Sequence, residues 1–355
     1  MPNSTVHDRR RRGMILHGGI RPQSVLRGSW QFLLGVTAWN LVIVYLDEVL
    51  QFHFIAHPTP PVTTLGVAVS FYLGFKNTSA FGRWWEARKL WGEIVNGSRD
   101  WGNAVANLMT SDGPEIDPVV RRLLVERHIA WLNMLAFQLR ATSPLGRKRR
   151  RWRFGHMPVT GQTDLHQTPD SWQRHIPPED AEALDGKANR AALLLFRQGT
   201  TLRGLAEAGS LDSIRHAAMM DRLRAFADAQ GKCERIKNTP FPRQIADIGE
   251  IFTWLFITML PLAFVDLYSA PEELEGWARW AFVDYTAAMV PFSVLVCWVF
   301  FVTEKVSASM EDPFDGEVTD VPISAICRTI EIDLRQMTGF GEPPPPLAPI
   351  DAVLY

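Results

Sequence analysis

Cysteine is scarce in this 355-residue chain, which contains only Cys233, Cys297 and Cys327. The three residues are far apart and odd in number, which argues against a disulfide framework and against a CxxC metal site. The simplest interpretation is three buried thiols in a reducing compartment. We therefore expect the fold to depend on neither disulfides nor a cysteine-bound metal.

Motifs of enzymes and of cofactor sites are also missing. The sequence contains no GxSxG, P-loop or GxGxxG element, and its nine histidines form no HExxH pair. A formal net charge of −1 gives no global attraction to nucleic acid. The arginine run 9–12 is not followed by an apolar segment long enough for a signal peptide. These absences predict a protein that is not an enzyme, requires no cofactor and binds no nucleic acid.

Charge is missing from four segments, which we interpret as membrane helices. They cover residues 29–46, 62–75, 251–265 and 285–303. A helix that crosses a bilayer needs about 20 apolar residues. The first and fourth segments nearly reach that length, whereas the second and third fall short. Length alone therefore allows two spans plus two buried helices.

The distribution of basic residues favours four spans. No Lys or Arg lies between the first and second segments, and only Arg279 lies between the third and fourth. All other basic residues lie outside these two acidic loops, and basic residues collect on the cytosolic side of membrane spans. We therefore predict a multi-pass protein of the plasma membrane with both termini in the cytosol.

The chain divides into six regions, and we expect an all-α fold throughout. In the long stretch between the second and third segments, apolar residues recur at spacings of three and four, which predicts helices. A break is expected across 143–164, where Pro, Gly and a basic run interrupt the pattern. The regions are a cytosolic N-terminal segment (1–28), membrane helices 1 and 2 (29–75), a cytosolic helical region (76–243), membrane helices 3 and 4 (244–303), an acidic loop with a C-terminal helix (304–340) and a Pro-rich tail (341–355).

If the second segment is a helix, two sets of its residues form stripes along it, and the members of each stripe are four residues apart. The bulky stripe consists of apolar residues, namely Val67, Phe71 and Phe75. The small stripe consists of Gly66, Ser70 and Gly74. Small residues let a neighbouring helix approach closely, and rings of bulky apolar side chains around an axis gate by dewetting. The alternative is that the bulky stripe only packs against the other three membrane helices.

Longer motifs carry a resemblance to a known family. The run GFKNTSAFGRWWEARKLWGEIVNGSRDW at 74–101 closely resembles the bestrophin family, in which the second membrane helix continues into the cytosol. CERIKNTPFP at 233–242 and EDPFDGEVTDVPISAICRTIEIDL at 311–334 resemble the bacterial branch of that family. These motifs occur in the expected order along most of the chain.

The resemblance implies a homopentamer whose subunits surround one axial pore. Each subunit would contribute four membrane helices and a large helical cytosolic region. The narrow apolar neck of the family matches Val67, Phe71 and Phe75 in this sequence. A second narrowing near the cytosolic exit would be formed by Ile214, an apolar residue upstream of the proline that precedes the third membrane helix.

An acidic loop follows the fourth segment. Within it, Asp312, Glu317 and Asp320 match the calcium clasp of animal bestrophins in position, and calcium takes six to eight oxygen ligands. The loop differs from the animal sequence because it is less densely acidic. In addition, Asp315 stands where a glycine usually follows Pro-Phe, and Gly316 comes next. These departures favour a structural loop without a bound metal, with a calcium site as the alternative.

Together these features predict an oligomeric ion channel in the lipid bilayer that passes small monovalent ions through the apolar neck. The neck carries no fixed charge, the outer loops are acidic, and Lys76 and Arg83 below the neck would favour anions. We also interpret Arg83 and Glu86 as an ion pair. The family resemblance favours chloride as the permeant ion. Two alternatives stay open, a cation-conducting channel of the same architecture and a membrane-anchored scaffold without conduction.

Overall fold

The computed structural model describes residues 22–50, 52, 58–109, 114–141, 170–239, 241–268, 288–316 and 319–348. These residues form helices, turns and short irregular segments, with no β-strand among them. The predicted all-α fold class is confirmed. The predicted break at 143–164 lies outside the described residues.

The helices have the following bounds. In chain order they are α1 (Pro22–Val44), α2 (Thr59–Asn107), α3 (Pro118–Arg140), α4 (Asp170–Gln173), α5 (Pro178–Leu184), α6 (Arg190–Glu207), α7 (Ser213–Asn238), α8 (Arg243–Tyr268), α9 (Met289–Ser309) and α10 (Ile323–Thr338). A π-helical turn, Tyr45–Val49, extends α1.

Among the described residues, three helices are long and apolar enough to cross a membrane. Their apolar stretches are Gly28–Asp47 in α1 and its π-turn, Gln244–Val265 in α8 and Met289–Ser309 in α9. Together with the first part of α2 they form one layer, which we call the membrane layer. The stacked rings of Phe32 and Phe301, with centroids 3.9 Å apart, join α1 to α9.

The fourth predicted span, residues 62–75, is the first part of α2. Its apolar run ends at Lys76, so it is shorter than the other three. The helix itself continues without a break for 49 residues, a length of about 74 Å. Pro60 and Pro61 lie in its first turn, where a missing N–H leaves no helical hydrogen bond unmade. The predicted boundary between 75 and 76 therefore falls inside one helix that joins two layers.

The second layer, which we call the distal layer, is built around the second part of α2. Helices α3, α6, α7 and α10 pack there, with Trp91, Trp101 and Trp131 fully buried at the centre. His128 lies among these rings, where burial lowers its pKa to about 3. Its Nε2 lies 2.9 Å from the Ser98 hydroxyl oxygen. The imidazole is therefore neutral and is part of the core.

The three cysteines are buried, as predicted, and they form no disulfide with one another. Cys297 lies in the core of the membrane layer, whereas Cys233 and Cys327 lie in the core of the distal layer. Burial raises the pKa of the Cys233 thiol to about 12. That thiol is therefore protonated at neutral pH, and a protonated thiol is a poor nucleophile.

Candidate functional site

The bulky stripe of α2 lies on the surface of the subunit. Val67, Phe71 and Phe75 expose 53%, 68% and 74% of their area. Val69 and Leu73, on the other side of the same helix turns, are buried in the core of the membrane layer. The bulky stripe therefore faces away from the other three membrane helices, so it does not pack against them within the subunit.

The exposed side of α2 differs in composition from that of α9. Besides the bulky stripe it carries small and hydroxyl-bearing residues, namely Thr63, Thr64, Ser70, Gly74 and Thr78. The exposed residues of α9 are all apolar: Pro291, Phe292, Leu295, Val299 and Val306. A wholly apolar surface suits lipid chains, whereas a mixture of small, hydroxyl and bulky residues is typical of helix–helix contacts in membranes. The α2 surface thus suits contact with another protein surface better than contact with lipid.

The small stripe does not form a single contact. A Cβ atom at Gly66 would lie 2.7 Å from Cε2 of Phe256, so Gly66 marks a close approach of α2 to α8 within the subunit. Ser70 donates its hydroxyl to the Gly66 carbonyl oxygen at 2.8 Å. Among the described residues, nothing lies within 4 Å of a Cβ built at Gly74. Gly66 therefore faces α8, whereas Ser70 and Gly74 lie on the exposed side.

A buried cluster of charges lies directly below the bulky stripe. Lys76 is only 1% exposed, and its Nζ lies 3.2 Å from Oε1 of Glu304 and 3.3 Å from Oε1 of Glu311. Lys305 extends the cluster, with its Nζ 3.2 Å from Glu304 and 3.6 Å from Glu250. The expectation that Lys76 favours anions in the pathway is wrong, because two carboxylates neutralise its charge inside the subunit.

Arg83, two turns further along α2, binds backbone rather than a carboxylate. Its guanidinium donates to the carbonyl oxygens of Glu311, Ile236 and Thr239. Burial lowers the pKa of Arg83, and nearby carboxylates oppose that effect. The predicted contact between Arg83 and Glu86 is wrong, since Glu86 pairs with Arg235 of α7 instead. Arg83 thus ties α2 to the end of α7 and to the start of the acidic loop.

The acidic loop is held by cations from the distal layer. Asp315 accepts from Nζ of Lys237 at 2.6 Å. Asp320 accepts the backbone N–H of Gly316 at 2.7 Å and lies 3.6 Å from a guanidinium nitrogen of Arg140. These contacts fold the loop back on itself and fix it to α7 and α3.

The same contacts bear on the calcium alternative for Asp312, Glu317 and Asp320. Glu317 lies outside the described residues. Asp312 is close enough to Arg83 for its negative charge to raise the pKa of that guanidinium. Within the part of the chain that the structure describes, no three potential ligand side chains come together to hold a metal ion. Calcium needs six to eight oxygens, and the positive charge of Arg140 beside Asp320 repels a dication. The described residues do not fit calcium, and their geometry favours a structural loop.

Ile214 lies far from the bulky stripe. It is the second residue of α7 and is 80% exposed. Helix α7 runs antiparallel to the second part of α2, because its C-terminal end meets Arg83 while its Arg222 pairs with Asp100 at 2.7 Å. Ile214 therefore lies beyond the level of Asp100, on the order of 50 Å along the helix axis from Phe75. The two candidate narrowings therefore lie at the levels of opposite ends of α2, the bulky stripe on α2 itself and Ile214 on α7.

The family that the sequence motifs suggested also matches nearly the whole chain. The sequence profile of the Bacterial/Fungal Bestrophin protein family matches residues 5–336. The chain belongs to the bestrophin family. The resemblance predicted from the motifs of α2, α7 and the acidic loop is thereby confirmed.

Relatives of this bestrophin agree in sequence and in fold. The voltage-dependent anion channel-forming protein YneE of Escherichia coli is 28% identical over 341 residues, which cover 96% of this chain and 94% of YneE. A voltage-dependent anion channel-forming protein of Mesorhizobium japonicum is 26% identical over 96% of this chain and 93% of its own length. The crystal structure of a bacterial bestrophin homolog from Klebsiella pneumoniae is 26% identical, with a TM-score of 0.69 over 86% of this chain and 97% of that one. The names of the first two relatives are those of anion channel-forming proteins and, together with the family, support the prediction that this bestrophin is not an enzyme.

Sequence reasoning missed the buried charge cluster of this bestrophin. The signal was present, because Lys76 directly follows the second apolar segment and Glu304 directly follows the fourth. Two helices that end at the same depth of a membrane bring such residues together. Opposite charges at the inner ends of two predicted spans would therefore have predicted an ion pair between α2 and α9.

Proposed function

We propose that this bestrophin is an anion channel that assembles as a homopentamer. Val67, Phe71 and Phe75 of each subunit would form the neck of the axial pore. The observation that carries the proposal is that these three bulky apolar residues, all more than half exposed, face away from the rest of the membrane layer. The relatives in Escherichia coli and Mesorhizobium japonicum are named as anion channel-forming proteins, which supports an anion as the permeant ion.

Chloride is the permeant ion that we propose. The edges of phenylalanine rings carry partial positive charge and favour anions. The neutralised Lys76 adds no fixed positive charge to the neck, and we therefore attribute ion selectivity to ring edges and to the width of the neck. Exposed Ile214 would form a second apolar narrowing at the far end of the pore. No bound cofactor is required, and the acidic loop serves as a structural link.

Ion flux through the purified protein tests this function and its two alternatives. Protein in planar bilayers between solutions of unequal potassium chloride concentration should give currents that reverse near the equilibrium potential of chloride. Reversal near the equilibrium potential of potassium would establish the cation channel instead. Liposomes that hold the protein but show no flux, although the protein is folded and oligomeric, would establish the scaffold.

The proposed orientation places both termini and residues 76–243 in the cytosol of a cell whose plasma membrane holds the protein. Single cysteines introduced at Ser269 and at Thr163, in a background without the three native cysteines, should react from opposite sides of intact cells. A membrane-impermeant maleimide should label the cysteine at 269 directly and the cysteine at 163 only after permeabilisation. Labelling of both positions from the same side would contradict the proposed topology.

A further inference from the structure

Two side chains beside the bulky stripe fix α2 to its own subunit. Tyr72 directly follows Phe71, and Lys76 directly follows Phe75. Successive residues of an α-helix point about 100° apart, so these two side chains turn from the exposed face into the subunit. Their contacts therefore help to hold α2 in the rotation at which the two phenylalanines point outward.

Tyr72 anchors α2 to the start of α8. Its hydroxyl donates to the carbonyl oxygen of Ile245 at 2.6 Å. Its ring passes so close to Gly249 that a Cβ atom there would lie 2.7 Å from Cε1 of the ring. Only a glycine at position 249 leaves room for the Tyr72 ring, which therefore packs directly against the backbone of α8.

Lys76 anchors α2 to three segments at once. Its Nζ contacts Glu304 near the end of α9 at 3.2 Å and Glu311 at the start of the acidic loop at 3.3 Å. The same atom lies 3.4 Å from the carbonyl oxygen of Ala246 on α8. A rotation of α2 would separate a buried ammonium group from these partners. Separating a buried charge from its partners is strongly unfavourable.

We propose that Lys76 is a positioning residue that sets the rotation of α2 and thereby the open probability of the channel. The inference rests on the proposed function, in which Phe71 and Phe75 line the neck. While Lys76 holds Glu304 and Glu311, both phenylalanines project from the subunit toward the pore axis and the neck is narrow. When these contacts are lost, α2 turns, the rings withdraw from the axis, and the neck spends more time open.

Single-channel recording of Lys76→Met tests the proposal. Methionine keeps an unbranched apolar stem and removes the charge, while Glu304 keeps its contact with Lys305. The ratio of open to closed time should rise roughly fivefold or more, the lower end of typical couplings between sites. The conductance of the open channel should stay as in the wild type. Glu311→Gln should act in the same direction but less strongly, because it weakens only one of the contacts of Lys76. The double variant should resemble Lys76→Met, because that variant already lacks the ammonium group that Glu311 contacts.

The matched control removes another cation from the same helix. Arg99 of α2 contacts Asp333 of α10 at 2.8 Å, far along the helix from the neck. Arg99→Met should leave the open probability unchanged. If Lys76→Met lowers the melting temperature but leaves the open probability unchanged, Lys76 is only structural and the proposal is overturned.

A second variant keeps the test decisive if Lys76→Met does not fold. Tyr72→Phe removes only the hydroxyl that donates to Ile245, and it should also raise the open probability. An unchanged open probability in both Tyr72→Phe and Glu311→Gln, the second of which removes a charge partner of Lys76, would then overturn the proposal. Recordings from the wild type distinguish a failure of this proposal about Lys76 from a failure of the proposed channel function. Absence of any current from wild-type channels refutes the channel itself, whereas normal wild-type currents with unaltered gating in the variants refute only the role of Lys76.

Discussion

Replacing Phe71 with alanine is expected to raise the single-channel conductance. Phe71 is the middle residue of the bulky stripe and is 68% exposed in the subunit. A ring of phenylalanines excludes water, so a passing ion must shed part of its hydration without a polar substitute. Alanine widens that ring and lowers the barrier. A barrier lower by about 1 kcal/mol corresponds to a roughly fivefold faster passage.

Planar-bilayer recording of Phe71→Ala, combined with a melting curve, separates the pore role from a packing role. A phenylalanine buried in a core costs roughly 3–5 kcal/mol on truncation to alanine, so a packing role predicts a large loss of stability without a gain in conductance. Phe292→Ala is the matched control, because Phe292 is 58% exposed on the wholly apolar surface of α9. That variant should conduct as the wild type does. Wild-type conductance in Phe71→Ala would refute its place in the neck.

Replacing Gly66 with leucine is expected to lower the stability of the subunit. A Cβ at this position would lie 2.7 Å from Cε2 and 3.0 Å from Cζ of Phe256, a buried ring whose centroid lies 4.5 Å from that of Phe300. The rings have little room to move, and overpacking of such a contact typically costs roughly 1–3 kcal/mol. The melting temperature and the yield of folded protein should both fall, and ion flux should fall with them.

Gly74→Leu is the matched variant on the same stripe. A side chain at Gly74 meets nothing within 4 Å among the described residues of its own subunit, so the subunit should tolerate leucine. If Gly74 instead meets a neighbouring subunit, the leucine should break the oligomer. Size-exclusion chromatography with light scattering measures this directly. An unchanged oligomer with normal flux in Gly74→Leu would place this part of the small stripe outside the subunit interface.

The small stripe shows which contacts the helical spacing of residues can predict and which it cannot. A spacing of four residues puts Gly66, Ser70 and Gly74 in one row along α2, because helical geometry is local, although this row turns from the buried side at Gly66 to the exposed side at Gly74. It does not reveal which helix approaches at each level. The approach of Phe256 at Gly66 and the open space at Gly74 depend on where α8 crosses α2, and that crossing is decided by packing between helices distant in sequence.

In the acidic loop, the charged partners also come from helices that are distant in sequence. Its sequence indicates carboxylates in a turn, and from sequence alone either a structural loop or a calcium site is consistent with them. The structure pairs Asp315 with Lys237 and places Asp320 beside Arg140. These cations come from helices many residues away, so no local pattern could have identified them.

The sequence by itself determined what depends on near neighbours along the chain. Helix periodicity, apolar runs and the distribution of basic residues predicted the all-α class, the membrane helices and the bulky stripe that includes Phe71. Only the tertiary structure decided which charges are neutralised. Lys76 and Arg83 were expected to carry positive charge below the neck, yet Lys76 is buried between Glu304 and Glu311. The physical reason is that a charge acts through its nearest partners in space, and these partners lie more than 200 residues away in sequence.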